Sequence, residues 1–267
     1  MKDAPRAVAC DLDGTLLRDD LTISVRTRAA LAAVEEAGAL LVFVTGRPPR
    51  WIHPVSSQTD HRGLAICANG ALLYDLHTEQ VVGGDLISPA VLTATVDALR
   101  EAVAGLAFAV EYGAHFAYES TYPVAEQHKR PDVKLVDLDE LIATPAAKLL
   151  VRHAERDSTD LFEAARTVIG DLVEVTHSTP VGPGLLEISA AGVSKATALA
   201  RLCGQRGIEA AEVMAFGDMP NDLAMLAWAG RSYAMANAHP EVLAVIPRRA
   251  PSNQDDGVAV VLEQFFG

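Results

Sequence analysis

Two aspartates stand two residues apart near the start of the chain, in Cys10-Asp11-Leu12-Asp13-Gly14-Thr15. On an extended strand, residues i and i+2 face the same side. Both carboxylates can therefore converge where the apolar run Ala7-Val8-Ala9-Cys10 ends. Gly14 lets the chain turn sharply and brings backbone N–H groups close to whatever sits there. The combination suits a divalent cation and a phosphate, although Asp-x-Asp alone also fits a charged strand end. Thr45 closes the next apolar run and could give its hydroxyl to a phosphate oxygen, or serve only as a turn residue. Lys195 lies in the first turn of a predicted helix, where the dipole disfavours a cation. It is either an exposed lysine that tolerates this or one required to point at an anion. On that reading Lys195→Ala leaves the fold unharmed or slightly steadier. Asp218 sits at a strand tip before a helix and is not explained by capping, whereas Asp222 also suits favourable charge at a helix N-terminus.

These residues need strands to carry them. Ser24 is a good N-cap for a helix with Leu31 and Val34 on its apolar side, ended by Gly38. Residues 39–44 are too continuously apolar for a half-exposed strand and read as a buried parallel one. Strand, helix, strand is a βαβ unit, and ligands in such sheets bind beyond the carboxyl ends of the strands. A third strand, 64–67, ends at the turn Asn69-Gly70, and a hairpin follows around residues 76–79. There the rhythm breaks. From Asp85 to about Glu187 come a helix opened by Ser88-Pro89, strands at 106–110 and 116–118, and a loop at 121–131. A strand at 148–151 follows, then a helix over 157–169 with Leu161, Phe162, Ala165 and Val168 inward, and strands at 172–176 and 185–188. This is a mainly antiparallel α/β insert. The rhythm resumes with a helix over 194–206, a strand at 213–216, a helix from Pro220, strands at 232–235 and 243–246, and a last helix ending at Phe266.

Composition narrows the function. The 267 residues carry a formal net charge of −13, which argues against a nucleic-acid surface. An anionic small substrate stays possible, because a metal ion and one or two cations invert the potential locally. Cys10, Cys67 and Cys203 have no metal-like spacing and suit a reducing compartment. No apolar run approaches the length of a membrane span, and Met1-Lys2-Asp3-Ala4-Pro5 leads into a strand with no signal-like region. A cytoplasmic chain without membrane or nucleic-acid partners, monomeric or homodimeric, is expected.

Four motifs stand in order: Asp11-Leu12-Asp13-Gly14-Thr15, Thr45-Gly46-Arg47, Lys195, and Gly217-Asp218-Met219-Pro220-Asn221-Asp222. Together they resemble the haloacid dehalogenase-like hydrolases, and the last motif with its following helix resembles the Cof-type phosphatase branch. The resemblance implies an α/β fold. A Rossmann-like, mainly parallel core would be formed by residues 1–84 and 189–267, with an α+β cap inserted at 85–188 to select the substrate. It implies a Mg²⁺-dependent phosphatase acting on a small phosphorylated metabolite, such as a sugar phosphate, through an aspartyl-phosphate. Asp11 would be the nucleophile and Asp13 the general acid and base. The metal would be held by Asp11, the Asp13 carbonyl and Asp218, with Asp222 on a metal-bound water. Thr45, Lys195, Asn221 and backbone N–H groups near Leu12 and Gly46 would bind phosphoryl oxygens. In the cap, the hydrogen-bonding groups of His115, Tyr118 and Glu119 are candidates for reading the substrate. Alternatives on the same scaffold are a phosphomutase, for which His128-Lys129-Arg130 would be the cationic second site, and a catalytically silent phosphometabolite-binding protein.

Overall fold

The computed structural model describes residues 4–59, 61–125, 130–176 and 184–267. It divides into two compact units, Met1–Gly83 with Ser194–Gly267, and Gly84–Val193.

The first unit opens with β1 (Ala7–Cys10), every residue of which is buried. Ser24 then caps α1 (Val25–Glu36) by accepting from the Thr27 N–H, and Gly38 ends it with φ +77°. Next come β2 (Leu40–Val44), a short helix α2 (His53–Ser56), β3 (Leu64–Cys67), and the hairpin β4 (Leu72–Asp75) and β5 (Gln80–Gly84). β1 and β2 pair in parallel, as do β2 and β3, while β4 runs antiparallel to β3.

The second unit holds α3 (Pro89–Ala102), β6 (Leu106–Glu111), β7 (Phe116–Tyr118), β8 (Val133–Leu135), α4 (Leu138–Ile142), β9 (Lys148–His153), α5 (Ser158–Ile169), β10 (Val173–Thr176) and β11 (Gly184–Ala190). Its six-stranded sheet runs in the order β10-β11-β9-β6-β7-β8, antiparallel except between β7 and β8. Leu92, Val96 and Leu99 of α3 and Leu161, Ala165 and Ile169 of α5 pack into one core with Phe108, Leu149 and Ile188. Ile169 replaces Val168 as the inward residue, because Val168 is 40% exposed. β8 and α4 lie in a stretch the sequence left unassigned; α4 is only five residues long, with Asp137 as its cap.

The chain returns to the first unit in α6 (Lys195–Gln205), then β12 (Val213–Gly217), α7 (Leu223–Trp228), β13 (Arg231–Met235), α8 (Pro240–Val245), β14 (Arg249–Ala250) and α9 (Gly257–Phe266). β12 inserts beside β1, giving the order β14-β13-β12-β1-β2-β3-β4-β5, with parallel pairing from β14 through β3. The fold class is α/β with a mainly parallel core, as expected. One local reading is corrected. Residues 243–246 form no strand, because His239 caps and Pro240 opens α8, which continues to Val245. A short apolar run of this length fits either state, and the proline at the first helical position decides it.

Candidate active site

The parallel register brings the two strand ends together. Cys10 pairs with Phe216, and the Asp11 N–H donates to the Phe216 carbonyl at 3.1 Å. Asp11 thus leaves β1 where Gly217-Asp218 leaves β12. Lys195 enters from the first turn of α6, whose N-cap Ser194 closes a reciprocal capping box with Thr197. Its ammonium donates to Asp11 Oδ1 and to Asp222 Oδ1, each at 2.6 Å. The exposed-lysine reading is therefore corrected, since Lys195 is 2% exposed and bridges two buried carboxylates.

Asp222 is fully buried and has both oxygens engaged. The second accepts from the Asp218 and Met219 N–H groups at 3.0 Å each. It shapes the turn that aims Asp218 as well as holding the lysine. Asp218 Oδ1 accepts from the Thr15 hydroxyl at 2.9 Å. A Cβ on Gly14 would stand 2.3 Å from Asp218 Oδ2, and Gly14 has φ +76°. Only glycine allows the two motifs to approach so closely. Asn237 steadies the same turn by donating to the Gly14 carbonyl at 2.8 Å.

One ligand atom each from Asp11, Asp218 and Asp222 lie within 4.8 Å of one another. Burial pushes the Asp11 carboxyl well up against the pull of Lys195, with Asp222 and Asp218 adding to the rise. Burial and the neighbouring Asp222 raise Asp218 to about 6. Burial opposes the charge on Lys195, but Asp11 and Asp222 outweigh it and raise its pKa. Three carboxylates share one ammonium, leaving an excess that a divalent cation would neutralise. Oxygen-only donors suit a hard ion such as Mg²⁺.

Asp13 points elsewhere. Its side chain is 52% exposed and accepts two hydrogen bonds from Arg47, at 2.7 and 2.5 Å. Its carboxylate is not part of the acidic cluster. The Arg47–Asp13 fork joins two motifs 34 residues apart, and Arg47 has no role of its own in the sequence reading. Thr45 is buried, its hydroxyl accepting from the Arg47 N–H at 3.1 Å. Leu12 is buried beneath the turn, its carbonyl accepting from the N–H groups of Thr15, Leu16 and Leu17. Asn221 donates to Asn69 Oδ1 at 3.2 Å, and a Cβ on Gly46 would stand 3.0 Å from that same oxygen. Asn69, expected only as a turn residue, thus bridges two motifs.

In the second unit the three candidates separate. The ring of His115 stacks on Tyr112 at 4.5 Å, and Tyr118 stacks on Phe116 at 6.3 Å. Both are partly exposed. Glu119 is corrected: it is buried, accepts from the Phe108 N–H at 2.8 Å and pairs with Arg100 at 2.8 Å. Its carboxylate ties β6 to α3. His128 and Lys129 lie outside the described residues.

The model of the haloacid dehalogenase-like hydrolases matches residues 8–262. The chain belongs to that family. YxeH of Bacillus subtilis (strain 168) is 31% identical to it over 275 residues, covering 97% of this chain and 98% of that protein. The 5-amino-6-(5-phospho-D-ribitylamino)uracil phosphatase YitU of the same organism is 27% identical, covering 100% of this chain and 99% of its own. Among solved structures, TM0651 from Thermotoga maritima superposes with a TM-score of 0.80 at 28% identity, over 97% of each chain. This haloacid dehalogenase-like hydrolase is of the Cof type and is a phosphatase. Among the described residues no helix is long and apolar enough to cross a membrane.

Proposed function

We propose that this phosphatase hydrolyses a small phosphomonoester in two displacements through Asp11, with Mg²⁺ as cofactor. The observation that carries the reading is the buried Lys195 ammonium, 2.6 Å from both Asp11 and Asp222 and beside Asp218. A nucleophilic carboxylate, a fixed cation and a carboxylate set for a metal then meet at the strand ends.

Asp11, Asp218 and the Asp13 carbonyl would hold the ion, which when bound supplies positive charge to the phosphoryl oxygens. Asp222 fixes Lys195 and the turn bearing Asp218. An oxygen of Asp11 attacks phosphorus while the bond to the leaving oxygen breaks, and Asp13 gives that oxygen a proton. Water then attacks phosphorus, Asp13 takes its proton, and the bond to Asp11 breaks, releasing phosphate. Lys195, Thr45 and Asn221 bind the phosphoryl oxygens, with backbone N–H groups near Leu12 and Gly46. Both oxygens of Asp13 are engaged by Arg47, so proton delivery requires that fork to open.

None of these groups distinguishes one phosphate ester from another. Selection falls to the second unit as a cap, with His115 and Tyr118 as its readers and Glu119 as a structural residue. YitU carries a phosphorylated ribityl compound in its name, which makes sugar and polyol phosphates the first class to screen. The reading is tested by phosphate release from an aryl phosphate. Release should require Mg²⁺, stop with chelator and be lost in a correctly folded Asp11→Asn protein. Near-normal turnover in that variant removes Asp11 as nucleophile.

A further inference from the structure

The loop between β13 and α8 has no part in the proposed reaction, yet it is bonded to both turns that carry it. β13 and β1 flank β12 in the sheet, so their ends stand about 10 Å apart. Residues 236–239 connect across β12. The His239 N–H donates to the Asp218 carbonyl at 2.8 Å. Asn237 Nδ2 donates to the Gly14 carbonyl at 2.8 Å. A single loop beyond β13 thus holds the turn after β12 and the turn after β1.

The Asn237 amide is fixed at both ends. Its Oδ1 accepts from the Asn253 N–H at 3.0 Å. A carbonyl on one side and an N–H on the other leave one orientation for the amide. Asn253 is 5% exposed, and its own side chain donates to the Leu17 carbonyl at 2.9 Å and to Asp19 Oδ1 at 3.1 Å. Asn237 therefore rests on a buried residue that is itself anchored to the chain after Gly14. Asn237 is exposed, and a hydrogen bond that water can replace adds little to stability. Its value lies in what it holds still.

The site makes conflicting demands at Gly14. Only glycine fits, because a Cβ would stand 2.3 Å from Asp218 Oδ2 and φ is +76°. Glycine is also the residue with the freest backbone torsions. The Asp13 carbonyl is separated from the Gly14 carbonyl only by the two torsions of Gly14. Pinning the second carbonyl restricts those torsions and so fixes the aim of the first. Groups that orient a ligand without touching the ion commonly change metal affinity by about 10–100-fold. We propose that Asn237 is a positioning residue for the metal site, which tightens divalent-cation binding by clamping the Gly14 peptide. The proposal rests on the reading of Asp11, Asp218 and the Asp13 carbonyl as the holders of the ion.

The test titrates the full chain with Mn²⁺, an ion that oxygen donors also accept, and counts free Mn²⁺ by its electron paramagnetic resonance signal. Tm is measured separately in chelator. Asn237→Ala should weaken Mn²⁺ binding by about tenfold or more, while its chelated Tm falls by only about 2 °C. The control is Val34→Ala, a buried change near the end of α1 that leads into β2. It should lower Tm at least as much and bind Mn²⁺ as the parent does. Equal binding by Asn237→Ala and the parent overturns the proposal and leaves the metal reading standing. A loss in Val34→Ala as large as that in Asn237→Ala also overturns it, since the effect is then general loosening of the fold. If the parent binds no Mn²⁺, the metal reading of the site falls, and this proposal with it.

Discussion

Replacing Lys195 by alanine separates the structure from the sequence reading most sharply. A lysine in the first turn of a helix is mildly unfavourable, so its removal should cost nothing. In the folded protein the same residue neutralises two carboxylates, with side-chain exposures of 2% for Lys195, 7% for Asp11 and 0% for Asp222. Water screens none of these charges appreciably. Breaking a buried pair by removing one partner costs about 3–5 kcal/mol, a large part of a typical total of about 5–15 kcal/mol. With an unfolding entropy of about 2.1 cal/mol/K per residue, 267 residues convert that loss into a fall in Tm of about 5–9 °C. The cost is electrostatic and should shrink at acid pH, where Asp11 and Asp218 take up protons. It should also shrink when Mg²⁺ supplies the missing positive charge. The assay is thermal unfolding of parent and Lys195→Ala, chelated and with Mg²⁺, at about pH 8 and about pH 5. An unchanged or higher Tm for the chelated variant at the higher pH would refute the argument.

Other expectations follow from the same geometry. Asp218 is raised from 3.8 to about 6, so its contribution to stability is fully present below 3.8 and is lost as pH rises through 6. That is an effect of about 3 kcal/mol, and Mg²⁺ should raise Tm more at about pH 8 than at about pH 5; equal Mg²⁺ effects at both would count against it. Asp13→Asn should lower the rate by about 10²–10⁴-fold for alkyl phosphates and less for aryl phosphates. If Arg47 acts through Asp13, the double variant with Arg47→Ala should lose no more than Asp13→Asn alone, and additive losses would give Arg47 a separate role. Glu119→Gln should lower Tm and leave the order of substrates by kcat/KM unchanged, whereas His115→Ala should reorder them; the reverse pattern would make Glu119 the reader.

The core was legible in the sequence because its signals are local. Buried parallel strands appear as continuous apolar runs, and the residues bearing chemistry stand just past their ends, as Asp11, Thr45 and Asp218 do. Caps are local too, and Ser24 and Ser88 cap as expected. What was not legible depends on partners distant in the chain. Lys195 meets Asp11 across 184 residues, and nothing near Lys195 shows that it is buried. Arg47 finds Asp13, and Glu119 finds Arg100, only when strands and helices are in place. Val168 and Ile169 are adjacent aliphatic residues on one helix, and their order inward is decided by packing against the sheet. Residues 243–246 read as a strand because a short apolar run outweighs the His239-Pro240 start signal just before it.

The account turns on a covalent bond between phosphorus and Asp11. The most direct measurement uses Asp13→Asn, in which water attack on that bond should be slowed. The variant is mixed with Mg²⁺ and an aryl phosphate carrying radiolabelled phosphorus, quenched in acid, digested and mapped. The account predicts label on the peptide containing Asp11, released by hydroxylamine and absent from the same experiment with Asp11→Asn. Phosphate released in enzyme-limited turnovers with no label on that peptide at any quench time would contradict it.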